Sequence, residues 1–264
     1  RQVLPLAAEL APAPGFVTDP VGDGAAQAAP GVLHKYHGRA LLIVTGACAV
    51  HCRYCFRREF PYVEAHAGVG QWRSALAYLA GDASIREVIL SGGDPLSLSD
   101  QRLGLLLAEL DRVPHLKRLR IHSRQPIVLP ERVDDGLLDL FARTRLQPVL
   151  VVHANHPREI DDTVRAALAR LADAGVTLLN QSVLLRGVND AAATLAELSE
   201  VLFAVRVLPY YLHLLDRVCG AAHFEVNESE ASAIMEQLRQ RLPGYLVPRL
   251  VREQPGQPAK IPVG

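Results

Sequence analysis

The sequence lacks several features that would assign its class at once. Neither sign of charge is in excess: 28 basic residues face 28 acidic ones over 264 residues. That balance excludes a strongly basic nucleic-acid binder and a charged disordered tail. No apolar run approaches the roughly 20 residues that cross a bilayer, and the first residues lack the basic, apolar, small-residue order of a signal peptide. Cysteine is scarce, four in all, too few for a disulfide-stapled miniprotein. What remains is 49% hydrophobic and long enough to bury a sizeable core, so one large domain in the cytoplasm is expected. The chain opens on Arg1 rather than Met, which weakens any reading of a targeting segment.

From residue 40 onward, short apolar runs, many of them β-branched, alternate with longer amphipathic stretches. The runs cover 40–45, 87–90, 119–122, 148–153, 177–185 and 207–214. The stretches cover 100–113, 131–143, 158–174, 190–205 and 228–241, with a weaker helical candidate at 72–80. Such alternation predicts parallel strands joined by helical crossovers. Six units fit better than the eight of a closed barrel, so an α/β fold is expected, a partial (β/α)6 TIM-like barrel with its chemistry at the C-terminal strand ends. Residues 11–31, interrupted by Pro12, Pro14, Gly15, Pro20, Gly22, Gly24 and Pro30, read as an irregular arm. The expected division is an N-terminal arm over 1–39, the barrel over 40–242 and a C-terminal segment over 243–264.

Three of the four cysteines, Cys48, Cys52 and Cys55, fall after the first run with spacing C-x3-C-x2-C. Thiols in a reducing compartment stay free for metal or chemistry, and three thiolates on one loop can hold three corners of a [4Fe-4S] cube, leaving one iron open to a ligand. A closed zinc site would need a fourth ligand, His51 or the distant Cys219. After the second run come Ser91, Gly92, Gly93 and Asp94, where glycines permit close backbone approach to a ligand and a carboxylate can accept from an amino group. Polar groups also follow the later runs: Ser123 and Arg124, then His153, Asn155 and His156, then Asn180 and Gln181, then His213 and Asp216. Asn227-Glu228-Ser229 matches a glycosylation sequon, read as accidental inside a cell.

The cysteine spacing, with Tyr54 before its third member, is the signature of radical S-adenosylmethionine (SAM) proteins, in which a Gly-Gly-Glu type motif holds the methionine amino group at the place of Asp94. More of the chain can be placed. Lys35-Tyr36-His37-Gly38-Arg39, Cys55-Phe56-Arg57-Arg58, Ser91 to Pro95, Ser123 to Arg132, Asn180 to Asp190 and Pro209-Tyr210-Tyr211 together resemble the lysine 2,3-aminomutases. The likeness covers nearly the whole chain. The wording around Ala221-Ala222-His223-Phe224 is most similar to the branch that makes (R)-β-lysine for modification of elongation factor P.

That resemblance implies a radical-SAM barrel with a C-terminal lysine tail, and three cofactors: a [4Fe-4S] cluster on Cys48, Cys52 and Cys55, SAM, and pyridoxal 5′-phosphate (PLP). It implies Lys260 as the lysine that carries PLP, with Tyr36 and Arg39 contacting PLP. Tyr54, Ser91, Gly92, Gly93, Asp94, His153 and Gln181 are the implied remaining cofactor contacts. Arg57 is implied to grip the carboxylate of free L-lysine, and Asp216 and Glu253 its distant ammonium. Glu253 stands where the lysine-fermenting enzymes have Asp. The implied partners are an external electron donor and, downstream, elongation factor P with its lysine ligase; a homo-oligomer is possible. Two other readings stay open here, an aminomutase for another amino acid such as glutamate and a non-catalytic metal or cluster protein. His122, His156, His213 and Asn189 have no assigned role, and Cys219 reads as an incidental thiol.

Overall fold

Parallel strands cannot be joined by tight turns, so each apolar run must be followed by a crossover, and right-handed crossovers put every helix on the same side of the sheet. The computed structural model describes residues 1–62 and 72–264, and has that arrangement. Its one sheet has ten strands in chain order: β1 Gln27–Ala29, β2 Val32–Tyr36, β3 Arg39–Thr45, β4 Glu87–Gly92, β5 Arg118–Ser123, β6 Gln147–Val152, β7 Thr177–Val183, β8 Val207–His213, β9 Arg249–Arg252 and β10 Ile261–Pro262. Neighbours from β3 to β9 run parallel. Antiparallel pairs extend both edges, β1 and β2 before β3 and β10 after β9. All six expected runs are strands; the sheet also recruits β2 from the arm and β9 from the C-terminal segment.

The crossover helices are α1 Trp72–Gly81, α2 Asp100–Asp111, α3 Asp135–Arg143, α4 Asp162–Asp173, α5 Ala192–Phe203 and α6 Glu228–Arg241. Two start later than the amphipathic pattern suggests, for a local reason. The Asp134 carboxylate accepts from the Leu137 amide at 2.9 Å and that of Asp161 from the Val164 amide at 2.9 Å, so each aspartate caps a helix that the pattern alone would begin earlier. The residues ahead of them form 3-10 turns at Pro130–Arg132 and Pro157–Glu159. In α4, Val164, Ala167, Leu168 and Leu171 are buried at helical spacing. They join Leu103, Leu106 and Leu110 of α2 and Leu119, Ile121, Leu150 and Val152 of the strands in the main core, which lies between helices and sheet.

The opposite face of the sheet is polar and concave. β2 and β9 are seven positions apart in strand order, yet Nζ of Lys35 on β2 lies 3.0 Å from Oε1 of Glu253, the residue after β9. Only a curled sheet brings those strands together. Asparagines pin the loops at its C-terminal edge. Buried Asn180 pairs with both the amide and the carbonyl of Ala154. Asn155 Oδ1 accepts from the Val183 amide. Asn189, which had no role on sequence grounds, accepts from the Leu185 amide at 2.8 Å and donates to the carbonyls of Asn155 and Val183, both at 2.9 Å. Asn189→Ala therefore orphans three buried backbone groups and is expected to cost about 2 kcal/mol. The midpoint of urea unfolding measures it, and an unchanged midpoint would refute the pinning role.

Candidate active site

The cysteine loop leaves the C-terminal end of β3 and is fastened on both sides. Arg53, buried between Cys52 and Cys55, donates from Nε to Glu9 Oε1 at 2.6 Å and stacks over the Phe224 ring at 4.9 Å. Arg58 reaches the other oxygen of Glu9 at 3.2 Å. Tyr54 receives a hydrogen bond from Asn155 at 2.7 Å, and Arg124 donates to the Cys52 sulfur at 2.8 Å. Burial pushes the Cys48 thiol up to about 12, helped by Asp94, Cys55 and Cys52, and burial also raises Cys55. Crowded thiols of this kind ionise only when cationic metal offsets their repulsion, as cluster ligands require. Among the described residues, no three His, Cys, Asp or Glu side chains are grouped to hold a metal ion. Of the two candidate fourth ligands for a closed zinc site, His51 is exposed and the Cys219 thiol donates to the Phe16 carbonyl at 3.4 Å.

The Gly-Gly-Asp turn is packed on the cysteine loop. A Cβ at Gly93 would collide with the Ala47 carbonyl, and Gly92 sits at φ +117°, so the two glycines let this turn lie against the cysteine loop. The Gly93 and Asp94 amides donate to the carbonyls of Thr45 and Ala47, each at 2.7 Å. The Asp94 carboxylate already accepts four hydrogen bonds, from the Leu96, Arg124 and Gln125 amides and the Ser123 hydroxyl. Four donors fill its lone pairs. These bonds fix the carboxylate in the turn beside the cysteine loop.

Facing the cysteine loop is a row of alternating charge. Arg57, buried, donates from Nη1 to Ser91 Oγ at 3.1 Å and from Nε to Asp23 Oδ2 at 2.6 Å. Lys35 Nζ lies 2.6 Å from Asp23 Oδ1 and 3.0 Å from Glu253 Oε1. The contact with Asp23 is an ion pair without hydrogen-bond alignment. The other oxygen of Glu253 accepts from Lys260 Nζ at 2.5 Å. Three cations and two anions thus run from the end of β4 to the C-terminal tail. Neither Asp23 nor Lys35 stood out as a site residue in the sequence; a charge in a glycine-rich loop or on a short strand carries no signal of burial.

Two carboxylates at this mouth have opposite settings. Burial opposes the charge on Glu253, yet the ammonium groups of Lys260 and Lys35 hold it down to about 2. Asp216, in the loop after β8, is pushed by burial, and further by Glu253, up to about 7. Tyr36 is raised by burial and by the same Glu253, and its ring lies under the Arg39 guanidinium at 4.7 Å. Arg39 has no acidic partner among the described residues, leaving its guanidinium available to an anion. Deeper on the concave face, Nε2 of His122, His153 and His213 are buried without a hydrogen-bond partner. Desolvation depresses all three, His153 to about 3, so each imidazole is neutral at pH 7. Gln181, on the next strand from His153, pairs in register with Tyr211. Buried polar atoms left without a partner are expected where a ligand completes them.

The family model described as the radical SAM superfamily matches residues 42–198. The L-lysine 2,3-aminomutase of Escherichia coli K12 is 55% identical over 263 residues, spanning 100% of this chain and 77% of that protein. The chain belongs to the lysine 2,3-aminomutase family of radical SAM enzymes. The L-lysine 2,3-aminomutase of Haemophilus influenzae is 52% identical, over 96% of this chain and 75% of its own length. A radical SAM methyltransferase from Sphaerobacter thermophilus superposes with TM-score 0.56 at 18% identity, covering 84% of this chain and 68% of its own, and shows the fold alone.

This aminomutase is accordingly an isomerase, and its superfamily implies a [4Fe-4S] cluster and SAM. The chemistry of the donor set, three thiols on one anchored loop, suits a cluster whose irons take one thiolate each rather than a single ion, for which no three such side chains are grouped among the described residues. The carboxyl of Asp216 also generates a prediction. Its folded value lies above the ordinary aspartate value of about 3.9, so the folded state binds a proton that the unfolded state releases between about pH 4 and pH 7. Relative to Asp216→Asn, the wild type is expected to lose stability as pH rises through 7. Paired thermal melts from pH 5 to 8 test this, and parallel curves would refute it.

Proposed function

We propose that this enzyme converts free L-lysine to β-lysine, of R configuration, and that it depends on PLP carried by Lys260. The supporting observation is the charged row. It joins an arginine beside the cysteine loop to the lysine of the C-terminal tail around one polar hollow, with Asp216 at its mouth. When bound, the cluster with SAM supplies hydrogen abstraction from an unactivated carbon, and PLP supplies a carrier for the migrating nitrogen.

The protein's own residues do the rest. Cys48, Cys52 and Cys55 would hold the cluster; Tyr54, Ser91, Gly92, Gly93, Asp94, His153 and Gln181 would line the SAM site. Arg39 would meet the PLP phosphate as a fixed guanidinium and Tyr36 would back it. Arg57 would grip the substrate carboxylate through its Nη atoms, since Nε is committed to Asp23. Glu253 and Asp216 would receive the far ammonium. Two carboxylates at that end favour lysine over glutamate, whose side-chain acid they would repel. Asp216, neutral below about pH 7 and ionised above it, would pair best with an ammonium on the alkaline side. An external donor would supply the reducing electron. The segment Ala221-Ala222-His223-Phe224 supports the further assignment that the product serves the ligase acting on elongation factor P.

Two experiments decide these points. Borohydride reduction of the PLP-loaded protein followed by peptide mapping is expected to mark Lys260; Lys260→Ala should lose the adduct while retaining iron and sulfide, and an adduct elsewhere would overturn the assignment. Chiral analysis of the product of an anaerobic assay with L-lysine is expected to give (R)-β-lysine. The S product, or turnover of glutamate but not lysine, would overturn the reading.

A further inference from the structure

The chain has 28 cationic residues of which only three are lysine, Lys35, Lys117 and Lys260, and two of these meet on the same carboxylate, Glu253. What places Lys35 there is Asp23. This aspartate is 1% exposed and is aimed inward by a built turn: the Asp19 carboxylate accepts from the amides of Asp23 at 2.9 Å and Gly24 at 3.0 Å. Gly22 sits at φ +67°, and a Cβ there would lie 3.1 Å from Pro255, so the arm is packed on the tail immediately beside the charged row. Lys35 is further held by the Val21 carbonyl at 2.8 Å.

Each oxygen of Asp23 takes a different cation, and each cation continues to a different end of the site. Arg57 goes on to Ser91 at the cysteine-loop side, and Lys35 goes on to Glu253 at the tail side. We propose that Asp23 is a positioning residue that, through Arg57 and Lys35, sets the span between the carboxylate grip and the ammonium grip and so selects the chain length of the diamino acid. This rests on the assignment of Arg57 and Glu253 to the two ends of the substrate. Without the Asp23 charge, Arg57 and Lys35 are like charges with no anion between them; they move apart, and Glu253 follows Lys35. The two grips then lose their fixed separation, while the cysteine loop keeps its own anchors in Glu9 and Asn155.

The test compares cofactor-loaded wild type, Asp23→Asn, Lys35→Gln and Lys35→Arg. For each, kcat and KM are measured with L-lysine, and the inhibition constant with L-ornithine, which is one methylene shorter. Iron content, sulfide content and thermal midpoint are recorded in parallel. One methylene is worth about 10- to 200-fold in a well-fitted site. Asp23→Asn and Lys35→Gln are expected to raise KM for lysine more than they lower kcat, and to shrink the preference for lysine over ornithine about tenfold. Lys35→Arg, which can still bridge two carboxylates, should recover much of that preference. A merely structural clamp would lower the thermal midpoint and the activity but leave the lysine-to-ornithine ratio unchanged in both variants, and that result overturns the proposal. Should Asp23→Asn fail to fold, Lys35→Gln and Lys35→Arg decide alone. Arg57→Lys and Glu253→Gln separate the two levels of inference. If they leave KM for lysine unchanged, the underlying assignment fails; if they raise it while the ratio in the other variants is constant, only the role of Asp23 fails.

Discussion

A buried carboxylate that must serve two cations at once constrains this molecule more than any other single interaction. Asp23 is almost wholly removed from water, and an ion so placed survives only when its charge is compensated on every side. Burial works against it, and the guanidinium of Arg57 and the ammonium of Lys35 more than offset that cost, holding it ionised. Removing one member of such a buried group typically costs about 3–5 kcal/mol. Because one cation comes from the cysteine loop and the other from β2, compensation requires the arm, the loop and the first strands to meet at a point. Glu253 then adds the tail. The curl of the sheet and the closing of this polar row are therefore one event.

The two faces of the sheet divide the work. The outer face is a leucine-rich layer packed on helices, which provides the cohesive free energy of the domain. The inner face carries buried histidines with unpartnered nitrogens and carboxylates held at opposite extremes. In a domain without ligands such groups only cost stability. Their concentration on one concave surface, over the strand ends that also bear the three cysteines, marks a protein whose interior is completed by cofactors and substrate. The contrast between Glu253 and Asp216 follows the same logic: neighbouring acids differ because one touches two ammonium groups and the other is chiefly desolvated.

Some of the site was legible because its chemistry is local. Cys48, Cys52 and Cys55 lie on one loop, and no tertiary fact is needed to see that three thiols eight positions end to end share a ligand. The glycines at 92 and 93 were also legible, but their partner was not. They let the turn lie against the cysteine loop, which depends on the β3–β4 register. The hydrogen bonds of Asp94 were not legible either: its four donors come from residues up to 31 positions away. The burial of Asn189, Asp23 and Lys35 was not legible, since an amide or a charge outside the apolar runs looks solvated until the fold buries it.

By itself the sequence determined the alternation of strands and helices, the parallel order of the sheet and the thiol triad, because periodicity and short spacing are properties of neighbouring residues. Tertiary structure alone decided how far the sheet extends at its edges and which acids stay charged. Above all it decided that residues 23, 35, 57, 253 and 260 form one row. Their separation along the chain leaves no periodic trace, and only the curvature of the sheet and the cost of burying charge bring them together.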